Sequence, residues 1–186
     1  EPSRALGLVS ARGAVPEDHP LAFGARARGA ILRRADVAMT IGLNLGFLEG
    51  YGAWAAKAKL IQITQSKSDI ETTTKVSVVI IGNPKAVLQQ MIDYVKKNYK
   101  QGVAKKDAWL TEVDGIKAAD KKRLADVNEA VKNKKPIHPA WATHEAIAGM
   151  DKNGTIILDG YTSSHFFTEA FMGQHSGSVL DGGNWA

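Results

Sequence analysis

The stretch ILDGYTSSHFF, residues 157–167, holds the residues of this chain that are best placed to do chemistry. An apolar run ends at Asp159 and Gly160, and small polar residues lead from there into two phenylalanines. That order predicts a buried strand, a tight turn and the start of a helix. The first backbone N–H groups of such a helix have no partner and can bind an anion. Thr162, Ser163 and Ser164 can donate hydroxyl hydrogens to that anion or can only cap the helix, and the sequence leaves both roles open.

Other reactive side chains give weaker patterns. No two histidines lie three or four positions apart, and no carboxylate completes a metal site with them, so structural or exposed roles are expected. The five are His19, His138, His144, His165 and His175. The run Ser-Ser-His at 163–165 does not supply the geometry of a nucleophile triad by adjacency alone. The chain has no cysteine, which excludes cysteine nucleophiles and thiolate metal sites and favours a reducing compartment such as the cytoplasm.

Two further segments resemble ligand sites but do not fit them. The glycines of GLNLGFLEGYG, residues 42–52, follow a predicted strand but lack the G-x-G-x-x-G spacing of a dinucleotide turn. The lysines of residues 96–135 alternate with acidic residues, as on a solvated helix face, and have few aromatic neighbours for base stacking. The net charge of +5 suits solubility as well as an anionic partner. The mixed charge therefore gives no reason to expect a nucleic-acid partner. No run of eighteen apolar residues occurs, so a membrane partner is not expected either.

Alternating strands and helices must position these groups. Apolar runs in ADVAMTIG (35–42), KLIQIT (59–64) and KVSVVIIG (75–82) predict three buried strands. The next segment predicts a helix that Asn83 caps and Pro84 begins. Apolar strands separated by helices indicate a parallel sheet covered on both faces. The predicted fold class is therefore α/β, with a doubly wound, Rossmann-like parallel sheet and the beginning of a second α/β domain.

The composition changes along the chain and predicts three parts. Residues 1–98 are interpreted as the Rossmann-like domain, and residues 99–135 as one or two surface helices that link two lobes. Residues 136–186 are interpreted as the start of a second α/β domain, with a strand in GTIILDG, a helix in SSHFFTEAFMG and a strand in SGSVLDGG. The chain begins without methionine and ends soon after that strand, so we expect a piece of a longer protein in which both domains are incomplete.

Taken as an ordered series, these stretches resemble a known family. ARGAVPEDHPLAFGARARGAILRRADVAMTIGLNLGF is similar to the central domain of the thiamine-diphosphate enzymes related to acetolactate synthase, nearest to 2-hydroxyacyl-CoA lyase, oxalyl-CoA decarboxylase and benzaldehyde lyase. The family's Lys/Arg-Gly and Pro-acidic-x-His-Pro patterns are matched by Arg12-Gly13 and residues 16–20, and its Ala-Asp-Val strand by residues 35–42. KPIHPAWATHEAI resembles the opening of the third, cofactor-diphosphate domain, and IILDGYTSSHFF and SVLDGGNWA resemble its first two strands and their turns.

The resemblance implies a function and a set of site residues. It implies a lyase, decarboxylase or carboligase that uses thiamine diphosphate and Mg²⁺ on 2-oxo acids or on 2-hydroxyacyl or oxalyl thioesters, as a homodimer or homotetramer. The implied cofactor-binding residues are Gly160, Tyr161, Thr162, Ser163, Gly182, Gly183 and Asn184. The family's activating glutamate and its Gly-Asp-Gly segment for magnesium match nothing here, so we predict no catalytic residue and no metal ligand in this chain. The isolated piece is expected to be inactive.

The sequence departs from relatives that bind FAD or ADP in the central domain. Asn44 and Thr64 stand where those relatives have an arginine and an aspartate, so a charged partner for phosphate and an acceptor for ribose hydroxyls are lost. We therefore expect no bound FAD or ADP. Tyr161 is also bulky for the diphosphate turn. An alternative function is a non-catalytic α/β module with a degenerate nucleotide pocket that serves structure or subunit assembly.

Overall fold

A computed structural model describes residues 11–99, 107–159 and 162–181 of the chain. These residues form two compact units. One contains residues 29–99, and the other combines residues 11–28 with residues 107–159 and 162–181. The domain boundaries predicted at residues 98 and 135 stay a prediction. The sequence did not predict that residues 11–28 group with the C-terminal half of the chain.

A three-stranded parallel sheet forms the unit of residues 29–99. Its strands are β1 (Val37–Ile41), β2 (Lys59–Thr64) and β3 (Val78–Ile81), in the order β1-β2-β3. The connections are a short helix α1 (Arg28–Leu32) before β1, 3-10 segments at Phe47–Ala55 and Lys67–Asp69, and the helix α2 (Pro84–Asn98) after β3. The three strands and their parallel order confirm the predicted α/β, Rossmann-like fold class.

The main core cluster of this unit lies on one face of the sheet. Ala38 and Leu60 of neighbouring strands pack with Leu45 and Ala55 from the connection between them. The central strand β2 is the most deeply buried, because a neighbour pairs with it on each side. The Asn83 side chain accepts hydrogen bonds from two backbone N–H groups of the first turn of α2, which confirms the predicted cap.

Among the described residues the second face of this sheet is covered in part, since Ile63 of β2 is fully buried there but β1 is exposed. On β1, Val37, Met39 and Ile41 alternate with buried residues and are exposed. The helix α2 buries none of its own residues and borders an open apolar groove of about 300 Å³. The apolar stripe of α2 therefore predicted the helix correctly, but one helix is too narrow to cover the outer face of three strands.

The second unit is built around a smaller parallel sheet of two strands. It contains α3 (Asp107–Val131), α4 (Pro139–Ala148), β4 (Ile156–Leu158), α5 (Thr162–Ala170) and β5 (Val179–Asp181). Its core consists of Ile156, Leu158 and Val179, against which Met150, Phe167 and Phe171 pack. The outward-facing residue Ile157 is 73% exposed. This strand-helix-strand order matches the elements predicted for residues 155–181.

In the described part of the segment predicted as one or two surface helices lies the 25-residue helix α3. One side of it is packed within its unit, since Val113 is fully buried. Lys117 donates hydrogen bonds to the carbonyl oxygens of Pro20 and Ala22, at 3.3 Å and 2.8 Å. These bonds attach residues 20–22 to α3 and explain in part why the start of the chain groups with its end.

Candidate anion-binding site at the β4–α5 turn

The turn between β4 and α5 contains the sequence-predicted site. Thr162 and Ser163 are the first two residues of α5. The other predicted residues, Gly160, Tyr161, Gly182, Gly183 and Asn184, lie outside the described residues. In the parallel pairing of the two strands, Leu158 stands opposite Asp181. The carboxyl ends of β4 and β5 therefore lie at the same edge of the sheet.

The start of α5 has the electrostatic properties of an anion site. The first four N–H groups of an α-helix have no intrahelical acceptor, and the aligned peptide dipoles place a partial positive charge there. The position of Thr162 and Ser163 in that first turn is compatible with anion binding and equally with a purely structural start of the helix. In an open α/β sheet, ligands bind at the carboxyl ends of the strands, and that is where this turn lies.

A buried ion pair fixes the opposite end of α5. The Arg12 guanidinium donates to both carboxylate oxygens of Glu17, at 2.9 Å and 2.7 Å, and the two side chains are 4% and 1% exposed. Arg12 also donates to the carbonyl oxygen of Phe171 at 2.6 Å. Glu17 accepts the N–H of Gly173 at 2.8 Å, and its own N–H donates to the Gly173 carbonyl at 2.8 Å. Hydrogen bonds from Arg12 and from Glu17 thus fix the loop after α5.

Gly13 lies directly against the same loop. Its φ angle is +81°, and a Cβ added to it would be 2.0 Å from the His175 carbonyl oxygen and 2.7 Å from the Ser178 Oγ. Only glycine fits that conformation and that approach. The Arg12-Gly13 dipeptide, which matches the family's Lys/Arg-Gly pattern, therefore packs inside the second unit.

A second buried arginine connects three elements of this unit. Arg26 donates to Asp120 of α3 at 3.0 Å and also forms an ion pair with Glu169 of α5. The Glu169 carboxylate in turn lies 3.5 Å from the His165 ring. Sequence reasoning missed both arginines, because charged residues are usually exposed and the partners of Arg26 lie about a hundred or more positions away. The Pro-Glu-Asp-His-Pro pattern after Arg12 was the only available signal.

At the carboxyl edge of the larger sheet, polar side chains of β2 form hydrogen bonds with the loop that follows it. Gln62 is buried, donates to the Asp69 carbonyl and accepts the N–H of Glu71, both at 2.9 Å. The Glu71 carboxylate accepts the N–H of Leu45 at 3.0 Å. Hydrogen bonds from the Thr73 hydroxyl and N–H, and more weakly from the N–H of Leu45 and of the residue after Glu71, hold the pKa of Glu71 below its ordinary value of 4.5.

Thr64, which stands where nucleotide-binding relatives carry an acid, is buried at this edge. Its hydroxyl is 3.4 Å from the Asp69 carboxylate. Asn44, the residue in place of the arginine, is exposed. The carboxylates of Asp69 and Glu71 lie beside these two positions.

The histidines take ordinary structural positions. His138 caps α4 by accepting the N–H of Ala140 at 3.2 Å, and its ring meets that of Phe166 edge-on. His175 lies between the carbonyl oxygens of Ser176 and Asn153. Within the described ranges, no three histidine or acidic residues are grouped as a metal site would require. Among the helices that the structure describes, none is long and apolar enough to span a membrane.

Comparison with known proteins finds a family match for just under half of the chain. Residues 7–91 match the family described as "Thiamine pyrophosphate enzyme, central domain". Oxalyl-CoA decarboxylase of Escherichia coli (strain K12) is 32% identical over 95 residues, which are 50% of this chain and 17% of the relative. The acetolactate synthase large subunit IlvG of Mycobacterium tuberculosis (strain ATCC 25618 / H37Rv) is 26% identical over 172 residues, or 92% and 28% of the two chains. Human 2-hydroxyacyl-CoA lyase 1 is 29% identical over 119 residues, or 61% and 20%.

This chain thus spans less than a third of the length of each of these relatives. The matched range includes all three strands of the larger sheet and also the segment of Arg12 and Glu17. Residues 7–91 are thus similar to the central domain of thiamine pyrophosphate enzymes.

Proposed function

We propose that this chain is part of a thiamine-diphosphate-dependent lyase, decarboxylase or carboligase that acts on 2-oxo acids or on 2-hydroxyacyl or oxalyl thioesters. The observation that carries the proposal is the parallel pairing of β4 and β5, whose carboxyl ends lie at the edge from which the chain enters α5. The named relatives act on substrates of these classes by their printed names. Their relationship supports the reaction class, and the edge supports the place where a cofactor would bind.

The start of α5 is suited to hold the diphosphate of the cofactor. Backbone N–H groups of Gly160, Tyr161, Thr162 and Ser163 would donate to phosphate oxygens, and residues 182–184 would contact the aminopyrimidine side. Bound there with Mg²⁺, thiamine diphosphate would supply the carbanion and electron-sink chemistry of these reactions. The role of this chain is to bind and orient that group, and we assign no catalytic residue and no magnesium ligand to it.

Several properties of the complete protein belong to the same proposal. A homodimer or homotetramer, a cytoplasmic location and a requirement for Mg²⁺ are supported by the family relationship alone. For the 186-residue chain by itself, we expect no turnover and at most weak cofactor binding, because no residue of it is assigned to metal binding or to cofactor activation. A bound FAD or ADP is not expected, since Glu71 and Asp69 place negative charge at the edge where a nucleotide phosphate would lie.

The test compares the 186-residue chain with the product of the complete reading frame that encodes it. Titration calorimetry with thiamine diphosphate and Mg²⁺, and turnover of pyruvate, a 2-hydroxyacyl-CoA and oxalyl-CoA, are measured for both. The proposal requires binding and turnover by the complete product. A sub-micromolar dissociation constant for the 186-residue chain alone, about −8 kcal/mol or better, would contradict the expectation that it binds weakly. A yellow preparation, or adenine absorbance that survives dialysis, would contradict the expected absence of FAD or ADP.

One substitution in the complete product separates anion binding from helix capping. Ser163→Asp adds a negative charge to the first turn of α5, where it is favourable for the helix dipole but repels a diphosphate. We expect at least about tenfold weaker cofactor binding, which is about 1.4 kcal/mol, with no loss of thermal stability. Ser176→Asp is the matched control, because Ser176 is exposed in the loop after α5. Equal affinities for the two variants would mean that the turn only begins a helix and would favour the alternative of a non-catalytic assembly module.

A further inference from the structure

We propose that Arg12, together with Glu17, is a positioning residue for the anion-binding turn at the start of α5. This inference rests on the proposed function for the role of that turn. Arg12 lies on the segment that precedes the larger sheet, whereas the turn follows β4, about 150 residues later. No sequence pattern connects the two places, and the hydrogen bonds of Arg12 and Glu17 reach the other end of α5, at Phe171 and Gly173.

The polar contacts of Arg12 and Glu17 converge on the segment between α5 and β5. Arg12 donates to the Phe171 carbonyl, and Glu17 exchanges two hydrogen bonds with Gly173. The Phe171 carbonyl lies just past the C-terminus of α5, where helices leave carbonyl groups unpaired and carry partial negative charge. A guanidinium at this point satisfies the carbonyl and fixes the end of the helix. The N–H of Ser178, at the far end of the same loop, donates to the His175 carbonyl that Gly13 touches.

Apolar packing alone does not fix α5 in this way. Phe167 and Phe171 contact the small core of Ile156, Leu158 and Val179, and this burial is non-directional. Hydrogen bonds are directional and set the axial position and rotation of the helix. A nine-residue helix is about 13 Å long at about 1.5 Å per residue, so a small rotation about its C-terminal end displaces its first turn by an ångström or more. Cofactor orientation is sensitive to displacements of that size.

The chemistry of the pair favours positioning over mere stabilisation. A buried ion pair contributes little net stability, because desolvation of the two charges offsets their attraction. Arg12 and Glu17 nevertheless share two hydrogen bonds, and each makes at least one more to the loop. Their geometry specifies where the loop lies, and an apolar pair of similar volume would not specify it.

The test uses Arg12→Met, Arg12→Lys and the control Arg33→Met in the product of the complete reading frame. Arg33 is an exposed arginine of α1's C-terminal flank. Three quantities are measured: the Michaelis constant for thiamine diphosphate, the turnover number at saturating cofactor, and amide hydrogen exchange of α5 and α4. For Arg12→Met we expect the Michaelis constant to rise at least tenfold and the turnover number to change less than threefold. Exchange should rise in residues 162–170 and stay unchanged in residues 139–148. Arg12→Lys, which keeps one donor, should recover part of the affinity, and Arg33→Met should behave as the unmodified protein.

The outcomes separate the two proposals. An unchanged Michaelis constant in Arg12→Met, or exchange that rises equally in α4 and α5, would show that Arg12 only stabilises its unit and would overturn the inference. If Arg12→Met does not fold, Glu17→Gln is measured in its place with the same expected results. If the unmodified protein binds no thiamine diphosphate, the proposed function fails. The exchange comparison then decides by itself whether Arg12 fixes the start of α5.

Discussion

Replacement of Gly13 by alanine should be far more damaging than the same replacement at Gly177. Both glycines belong to the same unit and have nearly equal φ angles, +81° and +80°. A left-handed conformation costs a non-glycine residue about 1–2 kcal/mol, and this cost applies equally to both. A Cβ at Gly177 would meet nothing within 4 Å, whereas a Cβ at Gly13 would lie 2.0 Å from the His175 carbonyl oxygen. Cβ atoms essentially never approach other atoms to less than 3.0 Å, so backbone must move.

The expected difference follows from that displacement. Overpacking of a well-packed site costs about 1–3 kcal/mol, so Gly13→Ala should destabilise the unit by about 2–5 kcal/mol and Gly177→Ala by about 1–2 kcal/mol. Native-state hydrogen exchange of the Ile156 amide, which donates to the Ser178 carbonyl, reports the opening free energy of this unit. If the losses of unfolding free energy in Gly13→Ala and Gly177→Ala agree within about 0.5 kcal/mol, Gly13 does not pack against the loop as described.

Three further predictions concern the buried pair, the Glu71 loop and the cap of α2. Glu17→Ala should cost about 3–5 kcal/mol because it leaves the Arg12 charge buried without a partner, whereas the double change to methionine at both positions should cost much less in urea unfolding. Hydrogen bonds from Thr73 lower the pKa of Glu71, so its stabilising contribution is complete above about pH 4.5 and is lost as the pH falls through the lower, folded-state value. The stability difference between the unmodified chain and Glu71→Gln should therefore shrink between pH 6 and pH 3, and a constant difference would refute this. Asn83→Ala should cost about 1 kcal/mol and Asn83→Ser much less, and circular dichroism during unfolding can measure both.

Patterns of neighbouring residues predicted the local elements well. The apolar run of KLIQIT indicated β2, and Asn83-Pro84 marked the start of α2, because both signals lie within a few residues of the structure that they specify. The strand before α5 and the helix itself were likewise indicated by a local change from apolar to small polar residues. Tertiary placement was less accessible, since the exposed outer face of β1 depends on how much of the sheet α2 can cover.

The candidate site was only half accessible from the sequence. Its own turn was indicated by Asp159 and the small residues after it, because helix starts have a local signature. The residues that hold that turn in place were not indicated by the sequence. A charged side chain such as Arg12 becomes buried only when distant groups form hydrogen bonds with it. Arg12 and Glu17 contact backbone atoms of Phe171 and Gly173. The identity of a side chain does not indicate where the backbone atoms of its residue will lie. Sequence reasoning therefore finds the surface that would contact a ligand more readily than the contacts that hold it in place.

The division of one unit between the two ends of the sequence has a consequence for the order of folding. During synthesis, residues 11–28 leave the ribosome well before α5, and all of residues 29–99 emerge between them. The larger sheet has most of its partners close in sequence and can form early, whereas the contacts of Arg12 require closure of a long loop, which is entropically costly and slow. Until then the Arg12 and Glu17 charges remain hydrated. Within the described residues, the second unit should therefore be completed after the larger sheet has formed, at a rate that depends on how far residues 29–99 have already folded.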